Sequence, residues 1–258
     1  MDRFFCPTLS SGTTVTLADD EFHHLAHVLR VKQGERVQLF DGQGQSAEAI
    51  VERLTKRDAL LSIAGEFQRD ASASIPLILG VACPKGDRLK WLVEKATELG
   101  VTELVPLQCE RSVVEPRETK LAKLEQTVLS ACKQCRRNTL MPIGELQSLN
   151  DFIRADPDRV WIAHPGGRPT WDLVGDMRAD QSDAPIPLRV AIGPEGGFTA
   201  PEVDQALAHG AHTVSLGRNV LRVETAALAV AALILGIQRD AAEKPRFSLD
   251  RECQTRME

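Results

Sequence analysis

Val190-Ala191-Ile192-Gly193-Pro194-Glu195-Gly196-Gly197-Phe198-Thr199-Ala200-Pro201-Glu202 runs from a buried strand through a glycine-rich turn into the start of a helix. The strand is expected over Leu188 to Ile192 and the helix from about Pro201 to His209. Thr199 and Glu202 have the spacing of a capping box, and Pro201 falls in the first helical turn, where its missing N–H is no loss. Glycines at 193, 196 and 197 allow a close backbone approach to a ligand. The spacing is neither a dinucleotide fingerprint nor a P-loop. From the local sequence alone, a tight strand-to-helix corner without any ligand stays open.

Working outward, Ser215-Leu216-Gly217-Arg218-Asn219-Val220-Leu221-Arg222-Val223-Glu224-Thr225-Ala226 forms a second glycine corner between a strand at Thr213–Leu216 and an apolar helix ending near Arg239. In an open α/β sheet, ligands sit outside the carboxyl ends of the strands, so the two corners are expected to face one pocket. Ala163-His164-Pro165-Gly166-Gly167 ends the preceding strand, Val160 to His164, and would wall the same pocket. His164 is either a general base or a hydrogen-bonded wall residue. Arg222 and Glu224, at the start of the last helix, either pair with each other or face the pocket.

The same alternation extends upstream. Ile75-Pro76-Leu77-Ile78-Leu79-Gly80-Val81-Ala82 is a strand buried on both faces, followed by a helix from Asp87 to Leu99 with Leu89, Leu92, Val93, Ala96 and Leu99 on its apolar stripe and Gly100 as its stop. A strand at Val101–Leu107 and a charged helix from about Pro116 to Lys133 complete an α/β unit with a mostly parallel sheet. Residues 1 to about 70 read differently. Short strands at Thr13–Leu17, Arg36–Phe40 and Gln45–Glu52, with Asp41-Gly42-Gln43-Gly44 as a hairpin turn, describe a small β domain. One helix, Asp19 to Arg30, interrupts it behind Asp19 or Asp20 as a cap. Gln68 to Ser74 (QRDASAS) is the expected linker, and Asp240 to Glu258 a loosely ordered polar tail.

The chain has 258 residues, 43% of them hydrophobic and 26% charged, with a formal net charge of -5. That excludes fibrous and wholly disordered classes and argues against a polybasic protein that coats nucleic acid, so any basic contact surface must be local. Thr225 to Gln238 is too short an apolar run to span a bilayer and reads as a buried helix. The opening MDRFFCPTLS lacks a signal-type apolar segment, so a cytoplasmic location is expected. Cys132 and Cys135 form a single C-x-x-C without a second pair or a suitable histidine, so free thiols and no metal are expected. His23 and His27, one helical turn apart, likewise have no third ligand.

These pieces resemble, in order and spacing over nearly the whole chain, the RsmE-type 16S ribosomal RNA uridine-N3 methyltransferases of the SPOUT superfamily. The resemblance rests on Arg3-Phe4-Phe5, His23-His24-Leu25 with Val28-Leu29-Arg30, Lys95-Ala96-Thr97-Glu98-Leu99-Gly100-Val101, Arg111-Ser112, Gln134 with Arg137, and both glycine corners. It departs at Cys135, where the family usually has Ser, at Arg218-Asn219, which replace a more frequent Pro-Arg, and in the longer polar tail. What it implies is a PUA-like RNA-binding β-barrel domain over residues 1–70, a SPOUT α/β domain with a deep C-terminal trefoil knot over 75–240, and a tail over 241–258. It also implies a homodimer with the knot region at its interface, 16S rRNA within the small ribosomal subunit as partner, and S-adenosyl-L-methionine as the methyl donor, with no metal and no membrane.

Carried residue by residue, the donor loops are His164, Pro165 and Gly166; Gly193, Pro194, Glu195, Gly196 and Gly197; and Leu216, Gly217, Asn219 and Leu221. Uridine N3 is a poor nucleophile until it loses its proton, so the site should supply a base or an electropositive group. Arg222 is the candidate stabiliser, and Glu224 or Glu195 the candidate base. The target base must also be unstacked. For holding RNA, the candidates are Arg3, His23, Arg30 and Lys32 in the first domain and Arg111, Lys133, Arg136 and Arg137 in the second. Between Gln108 and Leu140 stand seven basic residues against four acidic ones. Such a cluster is either a phosphate footprint or a solvated helix face.

Overall fold

A computed structural model describes residues 1–9, 12–70, 76–114, 118–156, 159–172, 175 and 187–237. Strands β1 (Arg3–Phe5), β2 (Thr14–Ala18), β3 (Arg36–Phe40), β4 (Gln45–Leu54), β5 (Asp58–Ile63) and β6 (Gln68–Arg69) make one sheet in the order β1-β3-β4-β5-β2, with β6 also on β4. Residues alternate inward and outward along β2, as the period-two pattern requires, and enclose a core around Phe4, Leu25, Leu39 and Leu61. Among the described residues β1 and β2 do not pair with each other, so this β-rich unit is a curled sheet with two edges rather than a closed ladder. The hairpin turn is where the sequence puts it. Gly42 and Gly44 take φ of 79° and 98°, and the Asp41 carboxylate accepts from the amides of Gln43 and Gln45 at 2.6 and 2.9 Å.

The first helix departs from expectation. Helix α1 (Asp19–His23) passes into a π-helical turn, His24–Val28, before Arg30. Neither Asp19 nor Asp20 caps it. The N-cap is Ala18, without a side-chain hydrogen bond, and Asp19 itself has a φ of 50°. Acidic side chains in the first turn still oppose the positive end of the helix dipole. The segment expected as a linker is also more structured at its start: Gln68 and Arg69 pair with β4, while residues 71–75 lie outside the described residues. The expected polar tail lies outside them as well.

The second sheet contains β7 (Leu77–Ala82), β8 (Glu103–Gln108), β9 (Gln147–Ser148), β10 (Val160–Pro169), β11 (Leu188–Ile192) and β12 (His212–Ser215), all parallel, in the order β12-β10-β11-β7-β8-β9. Helix α2 (Arg88–Leu99) buries Leu89, Leu92, Val93 and Ala96 and stops at Gly100, whose φ is 95°. Leu99 lies off the stripe and is 37% exposed. Thr97 is buried instead, with its hydroxyl donating to the Val93 carbonyl at 2.8 Å. The other helices are α3 (Glu118–Cys135), α4 (Leu149–Arg154), α5 (Ala200–Ala208) and α6 (Val223–Ile237). The expected burial of α6 holds on one side only. Val223, Ala227, Val230, Ala231 and Ile234 enter the core, but Thr225, Ala229 and Ala232 are exposed. No described helix is long and apolar enough to cross a membrane.

Polar ties join the two units and brace the second, and they engage three of the expected RNA ligands. Arg3 is only 6% exposed: its guanidinium donates to the Cys132 carbonyl at 3.1 Å and to the Asn138 side chain, and stacks over Phe40. Asn138 in turn donates from its side-chain amide to Asp70 at 2.6 Å. Lys133 is held by Glu21, which also accepts from the Phe5 amide at 3.0 Å. Arg137 donates to the Thr97 carbonyl at 3.1 Å. Arg3, buried, and Lys133 and Arg137, half-buried, therefore act as struts between elements, each already paired with a protein acceptor.

Gly80, in the middle of β7, has a packing reason. A Cβ there would stand 2.7 Å from Phe152 Cζ and 2.9 Å from Leu107 Cδ1, both fully buried. The substitution Gly80→Ala should therefore cost about 1–3 kcal/mol through overpacking. Urea unfolding should show a lower midpoint with an unchanged slope; an unchanged midpoint would mean that the ring at 152 has room to move.

Candidate active site

Strands β10, β11 and β12 end side by side, and the loops that follow them surround a cleft of about 270 Å³. From the first loop come Ala163, His164 and Pro165; from the second, Gly193, Pro194, Glu195, Gly196, Gly197 and Phe198; from the third, Leu216, Gly217, Asn219, Val220 and Leu221. Ile192, Val223 and Ala226 add apolar floor. All the expected donor-loop residues border this space except Gly166, whose amide instead donates to His164 Nδ1 at 3.1 Å. That bond occupies one ring nitrogen in shaping the turn, which fits His164 as a wall residue and leaves it poorly placed as a base.

Each loop is held by its own local chemistry. The capping box is present in full: Thr199 accepts from the Glu202 amide, and Glu202 accepts from the Thr199 amide at 2.8 Å. Glu202 also receives the Glu110 amide at 2.8 Å, while the Thr199 hydroxyl donates to the Glu110 carboxylate at 2.8 Å. Arg111, next in the chain, donates to the Gly196 carbonyl at 2.7 Å. The segment after β8 thus clamps the Gly193–Phe198 loop from outside. Gly197 and Gly217, with φ of 69° and 121°, adopt the left-handed backbone that the turns require.

The charged groups form an arrangement that sequence spacing did not reveal. Glu224 does not pair with Arg222, as one reading had it. Its carboxylate is 3.7 Å from Arg88 Nη1, and Arg88 Nη2 donates to Glu195 at 3.1 Å. Arg88 opens α2, and nothing in the linear order links position 88 to 195 or 224. Glu224 is buried, and its Oε2 has no hydrogen-bond partner. Arg222 is exposed and lies outside the glycine-lined cleft. It borders a neighbouring, shallower one of about 540 Å³ together with Asp87, Arg88, Trp91, Glu224 and Thr225.

The remaining candidates are dispersed. His23, Arg30 and Lys32 are exposed on the first sheet's unit, and Arg136 is exposed just beyond α3 with a φ of 64°. The His23 and His27 rings stand 5.1 Å apart, and no group of three or more potential metal ligands occurs among the described residues. Burial pushes the Cys109 and Cys132 thiols up to about 12 and about 11, which makes them poor nucleophiles at neutral pH.

Comparison with known proteins then decides the family. Residues 71–235 match the model of an RNA methyltransferase domain, and residues 17–64 that of an RNA methyltransferase PUA domain. The chain belongs to the RNA methyltransferase family. Among curated relatives of this methyltransferase, the ribosomal RNA small subunit methyltransferase E of Synechocystis is 32% identical over 83% of this chain and 70% of its own length. The structure of the methyltransferase E from Neisseria gonorrhoeae, solved with S-adenosyl methionine, is 33% identical with a TM-score of 0.81, covering 92% of this chain and 98% of the other. A methyltransferase from Legionella pneumophila in complex with the same cofactor is 29% identical, with a TM-score of 0.78 over 91% and 96% of the two chains.

Since Arg88 offsets the buried Glu224 charge, Arg88→Met should lower stability by about 1–3 kcal/mol, the cost of a carboxylate left without its partner. A double-mutant cycle with Glu224→Gln should recover a coupling of at least about 1 kcal/mol. Additive losses in denaturant titrations would show the two groups to be independent.

Proposed function

We propose that this methyltransferase transfers the methyl group of S-adenosyl-L-methionine to N3 of a specific uridine in 16S ribosomal RNA of the small ribosomal subunit, in the cytoplasm. The observation that carries the reading is the glycine-walled cleft at the carboxyl ends of three adjacent parallel strands, in a chain whose relatives are named small-subunit methyltransferases. The residues present suit the donor. Apolar Ile192, Leu216, Leu221 and Ala226 fit a flat adenine, backbone groups of the glycine turns offer hydrogen bonds to its edge, and the Glu195 carboxylate on the rim complements a cationic sulfonium. His164 to Gly167, Gly193 to Phe198 and Leu216 to Leu221 would hold it.

When bound, the donor supplies an already activated methyl group, so the protein's contribution is mainly to orient and exclude water. Glu224, with its unsatisfied oxygen, or Glu195 on the cleft rim takes the N3 proton, and the Arg222 guanidinium supports negative charge on the uracil oxygens. The chain divides functionally into a PUA-like unit over residues 1–70, a SPOUT domain over 75–240 whose C-terminal part is threaded as a trefoil knot, and a tail over 241–258. It works as a homodimer. The exposed outer side of α6, with Ala229 and Ala232, supports that reading, since an apolar helix face left in water calls for a partner. RNA is held by the exposed side chains of His23, Arg30, Lys32, Arg111 and Arg136.

Calorimetry with S-adenosylhomocysteine should give one site per chain. Gly196→Val, whose Cβ would press on Arg111 at 3.2 Å, should weaken that binding at least about tenfold (~1.4 kcal/mol) while thermal unfolding shifts little. Mass spectrometry of ribosomal RNA from a deletion strain should lack one N3-methyluridine. Loss of a ribose or guanine methylation instead, or an unchanged pattern, would refute the assignment.

A further inference from the structure

The shallow cleft beside the glycine loops is not accounted for by donor binding, and its lining is chemically unusual. Along one wall Trp91 presents a large ring that is 46% exposed, a costly position for the most extended aromatic side chain unless something covers it. The same cleft gathers two guanidinium groups, Arg88 and Arg222, with the Glu224 carboxylate. Glu224 is 6% exposed, and its Oε2 makes no hydrogen bond; the nearest cation, Arg88 Nη1, is 3.7 Å away, beyond hydrogen-bond reach. A carboxylate buried to that degree with an unused acceptor is a site arranged for a donor that arrives from outside the chain.

We propose that this cleft seats the acceptor base, with Trp91 as its stacking platform and Arg88, Glu224 and Arg222 reading the Watson–Crick edge of a pyrimidine-2,4-dione. The proposal rests on the uridine-methylating reading above and deepens it by naming the substrate-recognition site. The edge of uracil presents acceptor, donor, acceptor: O4, N3–H, O2. Guanidinium groups only donate and an ionised carboxylate only accepts, so the protein offers donor, acceptor, donor, the complementary order. Cytosine presents an amino donor and an unprotonated N3, which would set N4–H against a guanidinium and a lone pair against the carboxylate. Glu224 then holds the N3 proton at the atom to be methylated, and the same contact that selects the base prepares it.

Arg88 has a second role that follows from its position. Because Nη2 donates to Glu195 on the rim of the glycine-lined cleft while Nη1 faces Glu224, one side chain spans the two clefts. Trp91 follows three residues later on α2, one turn along, which puts the platform and the bridge on the same helix face. Stacking is indifferent to base identity, so Trp91 supplies affinity and the charged triplet supplies selection.

The test uses the full-length protein saturated with S-adenosylhomocysteine and two fluorescent RNA nine-mers of equal charge, all-uridine and all-cytidine, followed by anisotropy. Matching the charge cancels the phosphate contribution, so the ratio of affinities reports base reading. The parent protein should prefer the uridine strand about tenfold. Trp91→Ala should weaken both strands together, and Trp91→Phe should restore them. Glu224→Gln, which introduces a donor where only an acceptor stood, should bring the ratio close to one. Calorimetry of S-adenosylhomocysteine should stay unchanged in all three variants. A ratio near one in the parent, or a preference that survives Glu224→Gln, overturns the proposal, as does a Trp91→Ala variant that loses dimerisation but keeps its RNA affinity. Failure of the parent to bind S-adenosylhomocysteine would instead overturn the donor-site reading.

Discussion

The close side-by-side ending of parallel strands β10 and β12 is the constraint on which the site depends. Gly167 lies so near its neighbour that a Cβ would fall 2.6 Å from the Val214 nitrogen, backbone against backbone, with no flexible atom to give way. Strand β10 reaches this contact after a shift in register between Ala163 and Arg168, which swings His164 to Gly167 out of the ladder and returns the chain to pair again with β12. That excursion makes one wall of the cleft. A parallel sheet sends every strand end to the same side, so the loops after β11 and β12 complete the enclosure without further instruction.

Electrostatics then divides the surface beside that cleft. Two carboxylates from separate segments, Glu195 and Glu224, meet at Arg88, and the arrangement is incomplete, since the buried carboxylate retains an oxygen without a hydrogen bond. A protein optimised only for stability would fill such a position with an apolar residue or a closer donor. Here the residue sits in the first turn of α6, where the helix dipole favours an anion and offsets part of its burial cost. The third loop of the cleft and the acidic residue are therefore consecutive products of one short stretch of chain, from Leu216 to Thr225.

Much of this was legible in the residues themselves. The Thr199–Glu202 capping box, the Gly100 stop and the Asp41–Gly44 turn were readable because each depends on atoms a few positions apart. The parallel sheet was readable because strands buried on both faces lose their polar alternation. What escaped was non-local. Nothing in the order of residues couples Arg88 to Glu195, or Arg111 to Gly196, since these contacts close only when β7, β8 and β11 lie together. The expected cap at Asp19 failed for a related reason: neighbouring Glu21 is drawn to Phe5 and Lys133, so tertiary contacts rather than a local cap fix this helix start.

The same distinction reshapes the account of how an acidic chain meets RNA. Counting cations treats Arg3, Lys133 and Arg137 as equivalent to Arg30 and Arg136, yet burial separates them. For Arg3 and Arg137, desolvation lowers the pKa, and acceptors such as the Cys132 and Thr97 carbonyls compensate for the lost water. Their contribution is indirect but necessary. Arg3 fastens β1 to the end of α3, main-chain bonds between Gly44 and Asn138 and between Leu140 and Gly42 fasten the hairpin turn, and Arg137 braces α3 on α2, so that the spacing between the exposed basic side chains of the proposed RNA face is fixed. Phosphates along a folded RNA are themselves at set distances, so a rigid pair of weakly basic patches can select a shape that a single strongly basic surface would bind without discrimination.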